Sequence, residues 1–108
     1  MKQYLAVKEN NRKVTHLKVE TYYSKGGMNY FTYKTEPRGY YLSVSPVEYS
    51  NRNGIITEGF MAFSGIKELV KEVGRKSDKA MREAEQLAEL KKQELVDYIL
   101  QKNNLELV

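Results

Sequence analysis

The sequence has 108 residues and a mass of 12.6 kDa, the length of one domain (1–108) with enough chain to bury a core. It has no Cys, no Trp and one His, which excludes disulfide scaffolds, thiolate metal sites, Cys nucleophiles and multi-His zinc sites. The net charge of +4 permits nucleic-acid contact without demanding it, and no apolar run approaches the roughly 20 residues that span a bilayer.

Residues 1–63 read as a sheet. Tyr4-Leu5-Ala6-Val7 is a short strand, followed by the turn-rich Glu9-Asn10-Asn11-Arg12-Lys13. Val14 to Tyr23 alternates, with Leu17, Val19, Thr21 and Tyr23 on one face and His16, Lys18 and Glu20 on the other. Ser24-Lys25-Gly26-Gly27 is a loop. Its spacing lacks the pattern of a phosphate-binding loop. Met28 to Tyr33 is aromatic and strand-forming, and Thr35-Glu36-Pro37-Arg38-Gly39 is a turn. Tyr40 to Val47 alternates again, Tyr40, Leu42 and Val44 against Tyr41, Ser43 and Ser45. Pro46 predicts that this strand ends early or lies at an edge. Asn51-Arg52-Asn53-Gly54 signals a hairpin into a last strand, Ile55 to Phe63.

Residues 64–108 read as the helical part. Ile66, Leu69, Val70 and Val73 recur at helical spacing and predict a short helix. Ser77-Asp78 is a helix start, and Asp78 to Asn103 is rich in helix formers. Met81, Ala84, Ala88, Leu95 and Ile99 form its apolar stripe, interrupted near Lys91 and Lys92. Leu105-Glu106-Leu107-Val108 either docks back or frays. The expected fold is α+β: an N-terminal antiparallel sheet of about five strands, then one short and one long helix.

The positive charge is unevenly placed. Residues 1–54 hold nine Lys/Arg against four Asp/Glu, together with eight of the nine Tyr, whereas residues 55–108 are nearly neutral. Tyr22, Tyr23, Tyr30, Phe31, Tyr33, Tyr40 and Tyr41 suit cross-strand packing first, then a protein interface, then base stacking. Arg38, beside a rigid proline, fits a turn brace and also an interface anchor. The expected partner-binding set is therefore Tyr23, Lys25, Tyr30, Tyr33, Arg38 and Tyr40. Lys67, Lys71 and Arg75 fall at i, i+4 and i+8 and would form a basic helical ridge, although interleaved acids also suit a solvated face. With Lys25 and Lys34 they form the expected nucleic-acid set. His16 has no partner spacing that marks a general base, and no paired carboxylates or metal-ligand spacing stands out. No catalytic residue, metal or cofactor is assigned, so the expected role is non-catalytic. No secretory leader is legible, and the expected compartment is the cytoplasm. An open sheet edge would permit a homodimer.

The stretches Tyr22-Tyr23-Ser24-Lys25-Gly26-Gly27-Met28-Asn29-Tyr30-Phe31 and Glu36-Pro37-Arg38-Gly39-Tyr40-Tyr41-Leu42-Ser43-Val44 carry a resemblance, with Ala62-Phe63-Ser64-Gly65 and Arg75-Lys76-Ser77. Together they resemble a group of short proteins carried on plasmids, phages and conjugative elements of gut bacteria, and small proteins of this size from such elements include anti-CRISPR inhibitors of the type II-A Cas9 nuclease. The resemblance implies a protein that docks on Cas9 with its guide RNA. The alternative is a small nucleic-acid-binding accessory protein of the element. Net positive charge disfavours whole-molecule DNA mimicry. Only Glu83, Glu85, Glu89, Glu94 and Asp97 could offer a local acidic strip.

Overall fold

The computed structural model describes residues 2–9, 13–30, 33–59 and 65–108. Parts of three expected features lie outside the described residues: 10–12 of the first turn, 31–32 of the third strand, and 60–63 of the last strand. The elements are β1 (Lys2–Glu9), β2 (Lys13–Ser24), β3 (Gly27–Asn29), β4 (Lys34–Glu36), β5 (Gly39–Arg52), β6 (Ile55–Gly59), β7 (Ile66–Glu72), α1 (Asp78–Lys102) and β8 (Leu105–Leu107). The class is α+β, and every ladder is antiparallel. The main sheet runs β6-β5-β2-β1-β8, with β7 also on β5, and β3 and β4 form a separate two-stranded ribbon.

The alternation in β2 sets the layers. Leu17, Val19 and Thr21 are buried, with Val44 opposite Val19 and Leu42 opposite Thr21 in β5. Helix α1 covers this face. Its Ala88, Leu95, Val96 and Ile99 join Val7, Leu17, Val19, Leu42, Val44 and Leu105 in the main core. Each large aliphatic side chain fully buried here contributes about 1.5–3 kcal/mol. At the other end of the helix, Ala80 and Ala84 pack on Tyr40 and Tyr23. Small residues on the helix accommodate large rings on the sheet, keeping the layer close-packed. Ser77 caps the helix, its hydroxyl oxygen accepting from the Ala80 N–H at 3.1 Å. The apparent gap in the apolar stripe is where Lys91 reaches out to Glu68 in β7.

Two expectations are corrected. Residues 66–72 form strand β7, so the described residues hold one helix rather than two, and the part after 63 adds two strands to the sheet. The cause is a bulge. Leu69 lies opposite Tyr41 and Lys71 opposite Tyr40, which leaves Val70 as an extra residue. That extra residue brings Ile66, Val70 and Val73 onto the helix-covered side at a spacing that imitates a helical repeat. Second, Pro46 does not end its strand. β5 runs on to Arg52, pairing with β7 over 39–44 and β6 over 48–52. Pro46 falls between the stretch of β5 that pairs with β7 and the stretch that pairs with β6.

The β5–β6 hairpin turns at Asn53 and Gly54, with φ of 55° and 81°, the paired positive values of a two-residue turn. The C-terminal segment docks: β8 pairs with Val7–Glu9 of β1 and buries Leu105. No helix of the described residues is long and apolar enough to cross a membrane.

Candidate interaction surface

Among the described residues the most exposed aromatic side chains, Tyr30 and Tyr33, belong to the β3–β4 ribbon, with Met28 on the same ribbon. Met28, Tyr30 and Tyr33 are 56%, 79% and 81% exposed. Lys25, Lys34 and Arg38 are exposed around them. The base of the ribbon is braced. The Ser24 hydroxyl accepts from the Gly26 N–H at 3.2 Å, and Arg38 Nε donates to the Lys25 carbonyl at 3.1 Å. The Tyr41 hydroxyl donates to the Pro37 carbonyl at 2.6 Å. Gly26 has a φ of 72°, and a Cβ there would sit 2.6 Å from the Glu36 carbonyl oxygen. Only glycine lets the two arms cross so closely. Four expected partner-binding residues, Lys25, Tyr30, Tyr33 and Arg38, are thus gathered on one braced projection, with Lys34 beside them.

Tyr23 and Tyr40 lie elsewhere. Tyr40 is fully buried and meets Tyr23 edge-on at 5.3 Å beneath α1. Its hydroxyl donates to the Ser77 carbonyl at 3.2 Å and accepts from the Ser77 N–H at 3.3 Å. The Tyr23 hydroxyl donates to the Gly74 carbonyl at 3.3 Å. These rings hold the helix start against the sheet, and Tyr40 offers no surface to a partner.

The expected basic ridge is divided. In β7, Lys67 faces Ser43 on the helix-free side, whereas Lys71, beyond the bulge, faces Tyr40 on the helix side. Lys67 Nζ is 2.8 Å from Glu36 and 5.3 Å from the centre of the Tyr41 ring. The Glu36 bond raises the Lys67 pKa above its ordinary value. Lys71 pairs with Glu83 at 2.7 Å, which lowers the Glu83 carboxyl. Arg75 lies in the bend after β7, off any helix. The ridge fails because strand geometry and the bulge replace the helical period. Of the acids expected on the helix, Glu83 pairs with Lys71 and Asp97 accepts from Gln93 at 2.8 Å.

The helix-free face carries a cluster that composition alone did not single out. Tyr49 lies between Tyr4 and His16, its ring tilted against both, with ring centres 4.6 and 4.4 Å away. The Tyr4 hydroxyl donates to Glu58, and Lys18 donates to the same carboxylate at 2.9 Å. Glu58 therefore holds the Tyr4 hydroxyl up to about 12, while these donors lower the Glu58 carboxyl. The signal was present in the turn: counting outward from Asn53-Gly54 sets Tyr49 opposite Glu58. Beside it, Tyr22 stacks on Tyr41 at 6.0 Å, and burial raises both phenols.

Among the described residues, His16 Nδ1 is buried without a hydrogen-bond partner. Among the described residues no group of three His, Asp or Glu is placed to hold a metal ion. Glu36 and Arg38, at either side of Pro37, diverge: one bonds Lys67 and the other the Lys25 carbonyl. Compared with known families, curated proteins and solved structures, the chain matches no family model, no curated protein and no solved structure.

Proposed function

We propose that the chain is a non-catalytic binding protein of a mobile genetic element, and that it inhibits Cas9 by docking on the guide-loaded nuclease through the β3–β4 ribbon. One observation carries the docking mode. Met28, Tyr30 and Tyr33 stand in solvent on a braced hairpin framed by Lys25, Lys34 and Arg38. Tyr and Arg dominate binding hot spots because a rigid amphipathic ring and a multidentate cation gain contact at low entropic cost. The resemblance of the Gly-Gly and Pro-Arg-Gly segments supports the mobile-element origin, and Cas9 is chosen because small proteins of this size from such elements include its inhibitors.

The test is size-exclusion chromatography with guide-loaded Cas9 at low and moderate salt, alongside a DNA-cleavage assay. Co-elution that survives moderate salt, with reduced cleavage, is expected. Combining Tyr30→Ala with Tyr33→Ala should weaken it by about tenfold or more, as loss of hot-spot rings does. The variant's own stability should move by no more than about 0.5 kcal/mol, as for exposed side chains. No co-elution, with normal cleavage at large molar excess, overturns the proposal. A second reading, an accessory nucleic-acid-binding protein, is favoured by the cations flanking the exposed rings. It predicts binding to single- or double-stranded DNA or RNA that falls steeply with added salt.

A further inference from the structure

We propose that the outer edge of β7, with the flank of α1 above it, joins two copies of this chain about a two-fold axis. β7 pairs with β5 on one side, and no described strand pairs with its other side. Edge strands are ordinarily protected by charge. β7 carries four charges, but their order is Lys67, Glu68, Lys71, Glu72, each sign followed by its opposite.

Consider β7 laid antiparallel against itself about Leu69. In a regular strand Lys67 would face the second copy's Lys71, a like-charge pair that opposes association. The bulge changes the count. With Val70 set aside as the extra residue, Lys67 faces Glu72 and Glu68 faces Lys71. Ile66 then faces Val73, and Leu69 faces its own copy. The sides agree as well. Lys67 and Leu69 lie on the helix-free face, opposite Ser43 and Tyr41, and Glu72 follows there beyond Lys71. Glu68 and Lys71 lie on the helix face, opposite Leu42 and Tyr40, where Ile66 and Val73 also pack. The strand is self-complementary in both charge and face only because of its bulge. Glu72 is exposed and has no ion pair among the described residues, so it is the spare acid this pairing requires.

The helix supplies an independent observation. Glu83 and Lys91 both reach β7, so the α1 flank between them overhangs this edge. Leu87, one turn from each, is 41% exposed, and Leu90 is 81% exposed. Both lie on that flank by helical spacing. A two-fold axis at Leu69 brings the two flanks together and covers these leucines with their copies.

Sedimentation equilibrium of the full chain, from a few to several hundred micromolar, tests the assignment. A species of twice 12.6 kDa is expected. Glu72→Lys, which sets Lys67 against a lysine, and Leu90→Glu should each weaken it by about tenfold or more, given two copies of every contact. Unchanged circular dichroism and melting would show that both variants fold. Glu72→Lys mixed with Lys67→Glu should form a mixed dimer, because position 67 of each variant then faces an opposite charge at position 72 of the other. A monomer throughout the range overturns the proposal. So does a dimer indifferent to both substitutions, which would assign association to another surface, such as the edge of β1 beyond β8.

Discussion

Tyr22 and Tyr23 are neighbours in β2, and each faces a tyrosine of β5, Tyr41 and Tyr40. One pair is turned toward the helix and the other away from it. Tyr23 and Tyr40 meet edge-on under Ala80 and Ala84 and tie the helix start through Gly74 and Ser77. Tyr22 and Tyr41 stack on the helix-free face beside Lys67 and Glu36, where burial raises their phenols. The same residue type at successive positions thus serves the helix-covered core on one side and a stacked pair beside charged groups on the other. Residue type alone does not assign a tyrosine to a partner; the period of two and the location of the helix do.

The largest expected effect lies on the covered side. Tyr40→Ala should cost about 3–5 kcal/mol in urea unfolding, as removal of a buried aromatic ring does. Tyr22→Ala, at a half-buried position, should cost about 1–2 kcal/mol, nearer the centre of the mutational range. Equal costs would erase the distinction between the two faces. Ser77→Ala removes the hydroxyl that caps Ala80 and should cost about 1 kcal/mol. Its effect should be much reduced in a Tyr40→Ala background, because both groups hold the same helix end.

The smallest expected effect is electrostatic and lies on the helix-free face. Tyr4 has its pKa raised from 10.0 to about 12, chiefly by the hydrogen bond to Glu58. A raised pKa contributes stability fully present below 10.0 and lost as pH rises toward about 12. Glu58 is lowered from 4.5, chiefly by the same bond and by Lys18, so its contribution is present above 4.5 and fades as pH falls through the lowered value. Both groups are at the surface, where solvent keeps such contributions small. Ultraviolet phenolate titration should show Tyr4 among the last to ionise, and Glu58→Gln should bring it back toward 10.0. An unchanged titration in that variant would remove the Tyr4–Glu58 bond from the account.

The parts of the fold that local chemistry determines were legible. The two-residue turn follows from Asn53-Gly54, the faces of β2 from strict alternation, and the start of α1 from Ser77-Asp78. Residues 66–72 were not legible as a strand, because a bulged strand and an amphipathic helix place apolar residues at nearly the same spacing. Only the unfilled side of β5 decides between them, and that is a tertiary fact. The clustering of Lys25, Tyr30, Tyr33 and Arg38 followed from their nearness in sequence. The scattering of Lys67, Lys71 and Arg75 did not, since it depends on the bulge and the bend. The Tyr4–Tyr49–His16 cluster needed the strand order, which sequence pattern leaves open.

The pairing of β8 with β1 has a kinetic meaning. Val7 and Leu105 belong to one core, yet they are separated by almost the entire chain. The pairing of β8 with β1 closes a loop that takes in most of the 108 residues, and closure entropy is met before such a contact stabilises anything. On a ribosome, β1 and β2 can form a hairpin early, but the sheet edge along Val7–Glu9 stays open until the helix has been made and the segment after it has emerged. The apolar face of that early hairpin, Leu5, Val7, Leu17 and Val19, therefore stays uncovered until α1 has been made, and an open apolar face of that kind is prone to aggregation.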